Sequence, residues 1–322
     1  MISGGSSMAD GASSDALAGK RPWLRRAVVL FGLVIAAGFV FLILRKTDLA
    51  AVGQALVGAQ LWLLLLGLVP LAIGYAVRVI RWRLLLLPAN PSLGIAACIA
   101  PLLGSFALNN VLPARAGDVV RIVAFQDRLR CGPAATTGSV MVERILDLLT
   151  LVGGLMLALA FIPADLLPSG VGMLGGWLGG TVIAGGAAAV LGACWIRPFV
   201  ERWAARGQDL PHRLAGTMSR VLLGMDLLRD PRRLVLAVLC SLLVWGGELG
   251  LYLCVEASLA TGAGGSGALL AMTAGNLATL IPGTPGHVGT FHFFAAEALI
   301  ASGAAHDSAV ACALLIHLLF WC

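Results

Sequence analysis

The sequence predicts an all-α polytopic membrane protein with about six or seven transmembrane helices and two broken, re-entrant segments. Three observations predict it. Hydrophobic residues make up 59% of the 322 and charged residues 12%, about half the usual globular share. Apolar runs at 28–44, 61–77, 145–162, 173–196 and 234–255 are long enough to cross roughly 30 Å of hydrocarbon. Two further apolar segments are interrupted, at 108–121 and 277–290, by prolines, glycines and polar or charged residues.

Residues 1–19 are small and polar and read as a disordered cytoplasmic tail. Lys20, Arg21, Arg25 and Arg26 precede the first apolar run and place the N-terminus inside. No small-residue cleavage site follows that run, so it reads as an anchor and not as a removable signal. Segment 45–60 mixes charged and apolar residues and reads as lying in the outer interface. The chain returns at 61–77, where Arg78, Arg81 and Arg83 read as interfacial anchors on the inside, with a phosphate-guiding role as the alternative. A second basic region, 197–233, holds eight arginines against four acids and also reads as inside.

Three apolar stretches, 93–112, 134–162 and 173–196, separate these two inside regions. Three crossings would end outside, so one stretch must enter and leave on the same side. Segment 93–112 fits, because Arg115, Arg121, Arg128 and Arg130 follow its polar break. It is expected to descend, turn near Asn109–Asp118 and climb back through 119–126. Non-helical backbone at that depth needs protein or a water-filled cavity around it. The alternative is that 93–112 spans and 113–133 is an outside loop.

The second break repeats the first. Leu108, Pro113, Gly117 and Val119 match Leu277, Pro282, Gly286 and Val288, and Val111–Leu112 match Leu280–Ile281. From an inside 197–233, the span at 234–255 leads outside, so the second broken segment enters from the opposite face. Broken helices at corresponding positions of inverted halves, here about 60–196 and 234–322, mark a transporter with its site near the midplane. The polar residues of the breaks are then expected to line one shared cavity.

"VERILDLL" places Glu143 and Asp147 one helical turn apart, with Arg144 and Asp147 in pairing register. If this helix begins near Ala134, Glu143 lies roughly 14 Å along it. Each charge there costs on the order of 2.5–3.5 kcal/mol unless it is paired or functional. If the span begins at Ile145, the charges are interfacial. Arg115, Arg121 and Arg144, braced by Asp118, Glu143 and Asp147, form a cationic set suited to phosphate, which the guanidinium fork engages with directed donors.

Other classes find little support. The net charge of +6 lies in loops between spans, so nucleic acid is not an expected partner. The seven cysteines show no CxxC spacing and read as buried small hydrophobes. His287, His292 and His306 do not share a helical face, and no metal box, P-loop or nucleophile elbow accompanies them, so neither metal nor cofactor is expected. The histidines read instead as hydrogen-bonding or titratable groups on the second broken segment and its return helix.

"LNNVLPARAGDVVR", "VERILDLL" and "IPGTPGHVGTFH", in this order, resemble the flippase-like membrane domain of lysylphosphatidylglycerol synthases and their stand-alone relatives. That family shows an asparagine-containing stretch before P-x-R-x-G-[DE]-x-x-R, an E-R-x-x-D helix and a late I-P-[GS]-x-P-G-x-x-G segment. The resemblance covers roughly residues 25 to 322. It implies a bacterial inner-membrane protein that moves an anionic lipid or lipid-linked molecule between leaflets. By motif position it implicates Asn109, Asn110, Pro113, Arg115, Gly117, Asp118, Arg121, Glu143, Arg144, Asp147, Pro282, Pro285, Gly286 and Gly289. His287 stands where many members have glycine, and His292, also taken as a candidate, where many have glutamate.

The "GTFH" form resembles a stand-alone branch associated with hopanoid lipid genes, which adds a hopanoid to the implied cargoes beside an anionic phospholipid or a polyprenyl-linked molecule. Lipid-biosynthesis enzymes are the implied protein partners. The soluble aminoacyl-transferase domain of the fused synthases has no counterpart in the sequence, so lysyl transfer is not expected. The last apolar run, about fifteen residues after Ser308, is short for a span at about 1.5 Å per residue, and the second half is expected to be incomplete. Two alternatives stay open: an intramembrane enzyme using Asp118, Glu143 or Asp147 as acid or base on a lipid phosphate or glycolipid, and a non-transporting scaffold.

Overall fold

A computed structural model describes residues 22–112, 116–162, 171–207, 209–223, 230–281 and 285–321. Among the described residues every regular element is helical, as the composition requires of a bilayer protein whose backbone groups must pair within their own segment. Helix α1 (Pro22–Leu44) is followed by the short α2 (Leu49–Gly58), bent from it by 84°. Asp48 sets that bend by accepting hydrogen bonds from the Ala50 and Ala51 amides, which caps α2.

Helices α3 (Leu61–Leu86), α4 (Ile95–Val111), α5 (Ala116–Val123) and α6 (Gln126–Leu129) come next, then α7 (Pro133–Phe161), α8 (Val171–Ala204) and α9 (Leu210–Leu223). The chain closes with α10 (Pro231–Leu259), α11 (Gly264–Ala278), a single 3-10 turn (Pro285–His287), α12 (Thr290–Ala301) and α13 (His306–Trp321). Among the described residues, α3, α7 and α10 are each long and apolar enough to cross a membrane alone, and α1 with α2 reaches that length as a bent pair. Pro133 and Pro231 begin α7 and α10, where a missing amide hydrogen is harmless.

The start of α7 decides a question that hydropathy left open. The apolar run 145–162 is only the second half of a 29-residue helix that begins at Pro133. Glu143, Arg144 and Asp147 therefore sit around the middle of α7 and not at its end.

Segment 95–129 doubles back on itself. Arg128 donates to the Ala96 carbonyl and Asn90 to the Leu129 carbonyl at one end. At the other end Gly117 presses against α4, where an added β-carbon would stand 2.1 Å from the Ser105 carbonyl oxygen. Helices α4 and α5 thus form an antiparallel hairpin with its tip between Val111 and Ala116. A second hairpin joins α11 to α12: Gly275 faces Phe291 and Ala295, while Gly267 faces Ser302 near the other end.

Helices α3 and α10 run antiparallel in close contact. The Gln60 amide donates to the Ser258 carbonyl at 3.2 Å. Farther along, β-carbons added to Gly74 and Gly247 would stand 3.2 Å from the Val244 oxygen and 2.4 Å from the Pro70 oxygen. Small residues let the two backbones approach this closely, which is how helices gain packing where lipid removes the hydrophobic driving force. The main core gathers α10 through α13 with α3 and α7, around Leu251, Tyr252, Ala271, Ala295 and Ile316. Helix α1 joins through Phe39, whose ring lies 5.0 Å from Phe293 and 5.5 Å from Phe294.

The matched glycines of the two breaks do different work. Gly117 is helical and conserves space against α4, whereas Gly286 has φ 68° in the turn before α12, a conformation that favours glycine. The two hairpin tips meet there: a β-carbon on Gly286 would lie 3.4 Å from the Asn110 carbonyl oxygen.

Candidate functional site

Four arginines and four carboxylates converge between the hairpins. Starting on α7, Glu143 and Asp147 are 1% and 6% exposed, so each needs a partner to persist as a charge. Glu143 takes Arg121 of α5 at 3.1 Å. Arg121 is itself fully buried, reaches Asp118 at 3.5 Å and lies 4.9 Å above the Trp82 ring. Asp118 also accepts from Ser105, Asn109 and Arg144, the last at 2.8 Å. Arg144 continues the chain to Asp147 at 3.8 Å.

Asp147 is held most closely by Arg81 of α3, at 2.7 Å, and by the Trp245 indole at 3.2 Å. Arg81 also donates to Ser241 at 2.8 Å. A separate pair stands beside this chain: Arg78 binds Glu248 at 2.9 Å, and Asn276 donates to the same carboxylate at 2.6 Å. The Arg78 guanidinium lies 5.0 Å from the Trp245 ring and 5.6 Å from Phe106. Arg78, Arg81, Arg121 and Arg144 balance Asp118, Glu143, Asp147 and Glu248 in charge. That balance lets a low-dielectric bundle hold eight ionic groups without a net charge.

A cavity of about 490 Å³ opens between the hairpin tips. Arg78, Arg144, Asp147 and Glu248 face it together with Asn109, Asn110 and Asn276, and its remaining wall is largely aromatic, including Tyr75, Phe106, Trp245 and Phe291. Arg144 is the most exposed of the four arginines, at 29% of its side chain, and its Nε has no hydrogen-bond partner among the described residues. Arg144 thus brings a guanidinium to the cavity wall while Asp118 holds it from behind. A second space of about 950 Å³ shares Tyr75, Phe106, Asn110, Phe320 and Trp321 with the first. Its other walls are almost wholly aliphatic, from Leu68 and Leu71 on α3 to Ile95, Ile99 and Leu103 on α4.

The residues singled out from sequence divide into three groups. Asn109, Asn110, Arg144, Asp147 and Gly286 line the cavity. Gly117, Asp118, Arg121 and Glu143 stand behind it and hold the α4–α5 hairpin to α7. Gly289 and His292 shape the second tip: Gly289 packs on the Ala36 backbone of α1, and its amide donates to His292 Nδ1 at 3.2 Å. Pro113, Arg115 and Pro282 lie outside the described residues, as does segment 1–19, and Pro285 is described only as the backbone that begins the 3-10 turn.

Sequence reasoning missed part of the site. Arg81 is fully buried and Arg78 nearly so, both in ion pairs, which corrects their reading as interfacial anchors. Glu248 and Asn276 went unnoticed. A signal for Glu248 was present, because it is a lone charge within the apolar run 234–255, and such a residue marks a functional site by default.

A family model described as "Lysylphosphatidylglycerol synthase TM region" matches residues 29–321 of the chain. No curated protein and no solved structure matches it significantly.

Proposed function

Because the chain belongs to the lysylphosphatidylglycerol synthase TM-region family, whose role is tied to membrane lipid, we propose that it moves an anionic lipid, or a lipid-linked molecule, between the leaflets of a bacterial inner membrane. One observation carries this reading: a charged and amide-lined cavity adjoins a larger aliphatic groove, the two sharing five wall residues. A lipid has the same division, a polar head joined to apolar chains. The phosphate would meet Arg144 and Arg78, both on the cavity wall, while Asp118 and Glu248 hold the two guanidinium groups.

The arrangement of helices supports alternating access. Helices α3 and α10 run in opposite directions, each is followed by a hairpin, and the tips meet at the cavity. We read this as two inverted halves, about 60–196 and 234–322, with the N-terminus cytoplasmic and the α4–α5 hairpin entering from the cytoplasmic face. An acid–base role for Asp118 fits less well, because Ser105, Asn109, Arg121 and Arg144 already occupy that carboxylate.

The test is purified protein in liposomes with a labelled anionic phospholipid. Redistribution between leaflets with the lipid mass unchanged is expected. Arg144→Lys should lose most of it, since a point charge cannot hold Asp118 and a phosphate in two directions. A new lipid product without leaflet exchange would replace transport with chemistry.

A further inference from the structure

The α12 end of the site contains a feature that lipid binding does not use. The rings of His292 and His317 stack face to face, with centroids 4.5 Å apart and planes 9° from parallel. Trp321 stacks on the far side of His317 at 6.1 Å. His317 faces the cavity, and its Nδ1 is buried with no hydrogen-bond partner among the described residues. His292 lies one turn into α12 and receives the Gly289 amide on Nδ1. A backbone amide only donates, so that nitrogen carries a lone pair and the neutral ring bears its proton on Nε2.

We infer that His292 and His317 form a one-proton site whose occupation releases the tip of the α11–α12 hairpin. The step conserves atoms: a proton from water adds to His292 Nδ1, and the Gly289 N–H···Nδ1 bond is lost, because that nitrogen has become a donor. Gly289, at φ 88° and pressed against α1, then loses one of its two ties to α12 and keeps only the bond its carbonyl accepts from the Phe293 amide at 2.9 Å. Neutral His317 offers its ring face to the charged His292, as aromatic rings do to cations. Two imidazolium rings at this spacing would repel, so the pair holds one proton and not two.

Charged and titratable groups lie in the cavity and on the helices packed against the pair. Tyr75, Arg78, Arg144, Asp147, Glu248 and His287 share the cavity with His317. Tyr252 and Glu256 lie on α10, Glu297 on α12, and Cys312 on α13; His306 and Asp307, at the start of α13, bond to Thr47 and Asp48. Helix α11 and the 30–44 part of α1 carry no titratable side chain. His317 lines the cavity, which gives the pair its route for proton exchange.

This inference goes beyond lipid movement and stands or falls without it, because its test reads the tip itself. A nitroxide is attached at Val288→Cys, a site 45% exposed beside the tip, in the full chain freed of its other cysteines and held in lipid nanodiscs. Its mobility is followed from about pH 8 to about pH 3.5, a range that brackets the ordinary imidazole value near 6.5. The native pair should give a reversible one-proton rise in mobility as pH falls. His292→Asn, whose side-chain oxygen can accept the Gly289 amide without titrating, should keep the label ordered throughout. His292→Phe should leave it mobile at every pH. A flat native curve, or a His292→Asn curve that follows the native one, overturns the inference.

Discussion

Replacing Arg121 with methionine is the sharpest test of how the hairpin is held. Arg121 is fully buried, Glu143 is 1% exposed, and their charges lie 3.1 Å apart. At an effective dielectric near 20, attraction at that distance is about 5 kcal/mol, much of it offset by desolvation. Removing one partner strands the other, and breaking a buried pair in this way costs about 3–5 kcal/mol. Arg121→Met should therefore lower stability by that amount, and Glu143→Met should lower it by less, because Arg121 keeps Asp118 at 3.5 Å. The double variant should recover most of the loss, because Asp118 keeps Arg144. Recovery should stop about 1–2 kcal/mol short, since the guanidinium above Trp82 is gone in the double variant too. Thermal unfolding of the four proteins in detergent completes the cycle. If Arg121→Met melts with the native protein, or if the double variant falls by the sum of the singles, the pair does not hold the hairpin.

Three further outcomes follow from particular contacts. Gly117→Ala should destabilise the protein in the same melting assay, because its β-carbon would overlap the Ser105 carbonyl; Gly104→Ala, with nothing within 4 Å, should be neutral or gain up to about 1 kcal/mol from helix propensity. Glu248→Leu should reduce leaflet exchange and stability together by stranding Arg78, while Glu248→Gln, which retains hydrogen-bonding capacity toward Arg78 and Asn276, should impair exchange with the smaller stability loss, about 1.5–3 kcal/mol for a weakened charged hydrogen bond. Single cysteines at Arg128 and Arg206 in a cysteine-free background should label from one side of the membrane; labelling from opposite faces would sink the proposed entry of the α4–α5 hairpin.

The breaks in the sequence were legible because polar residues inside apolar runs stand out against the bilayer as solvent. "LNNVLPARAGDVVR" locates the tip of the α4–α5 hairpin, and "IPGTPGHVGT" the tip of α11–α12. Hydropathy left the start of α7 at Ile145 or near Ala134, and the helix begins at Pro133, a residue suited to the first helical position. Those added turns make Glu143, Arg144 and Asp147 mid-helix charges. Arg78 and Arg81 were misread because a basic cluster after an apolar run looks the same whether it reaches the interface or turns into the bundle.

The sequence by itself determined the all-helical membrane class, the family, the two interrupted segments and the charged turn of α7, since each depends on composition or local spacing. Only the tertiary structure decided which charge meets which. Arg81 and Asp147 are 66 residues apart in the chain, and Arg78 and Glu248 are 170. No local pattern encodes such a pairing. It arises because α3 and α10 can approach through Gly74 and Gly247, and because a buried charge left unpaired in that contact would be too costly to keep.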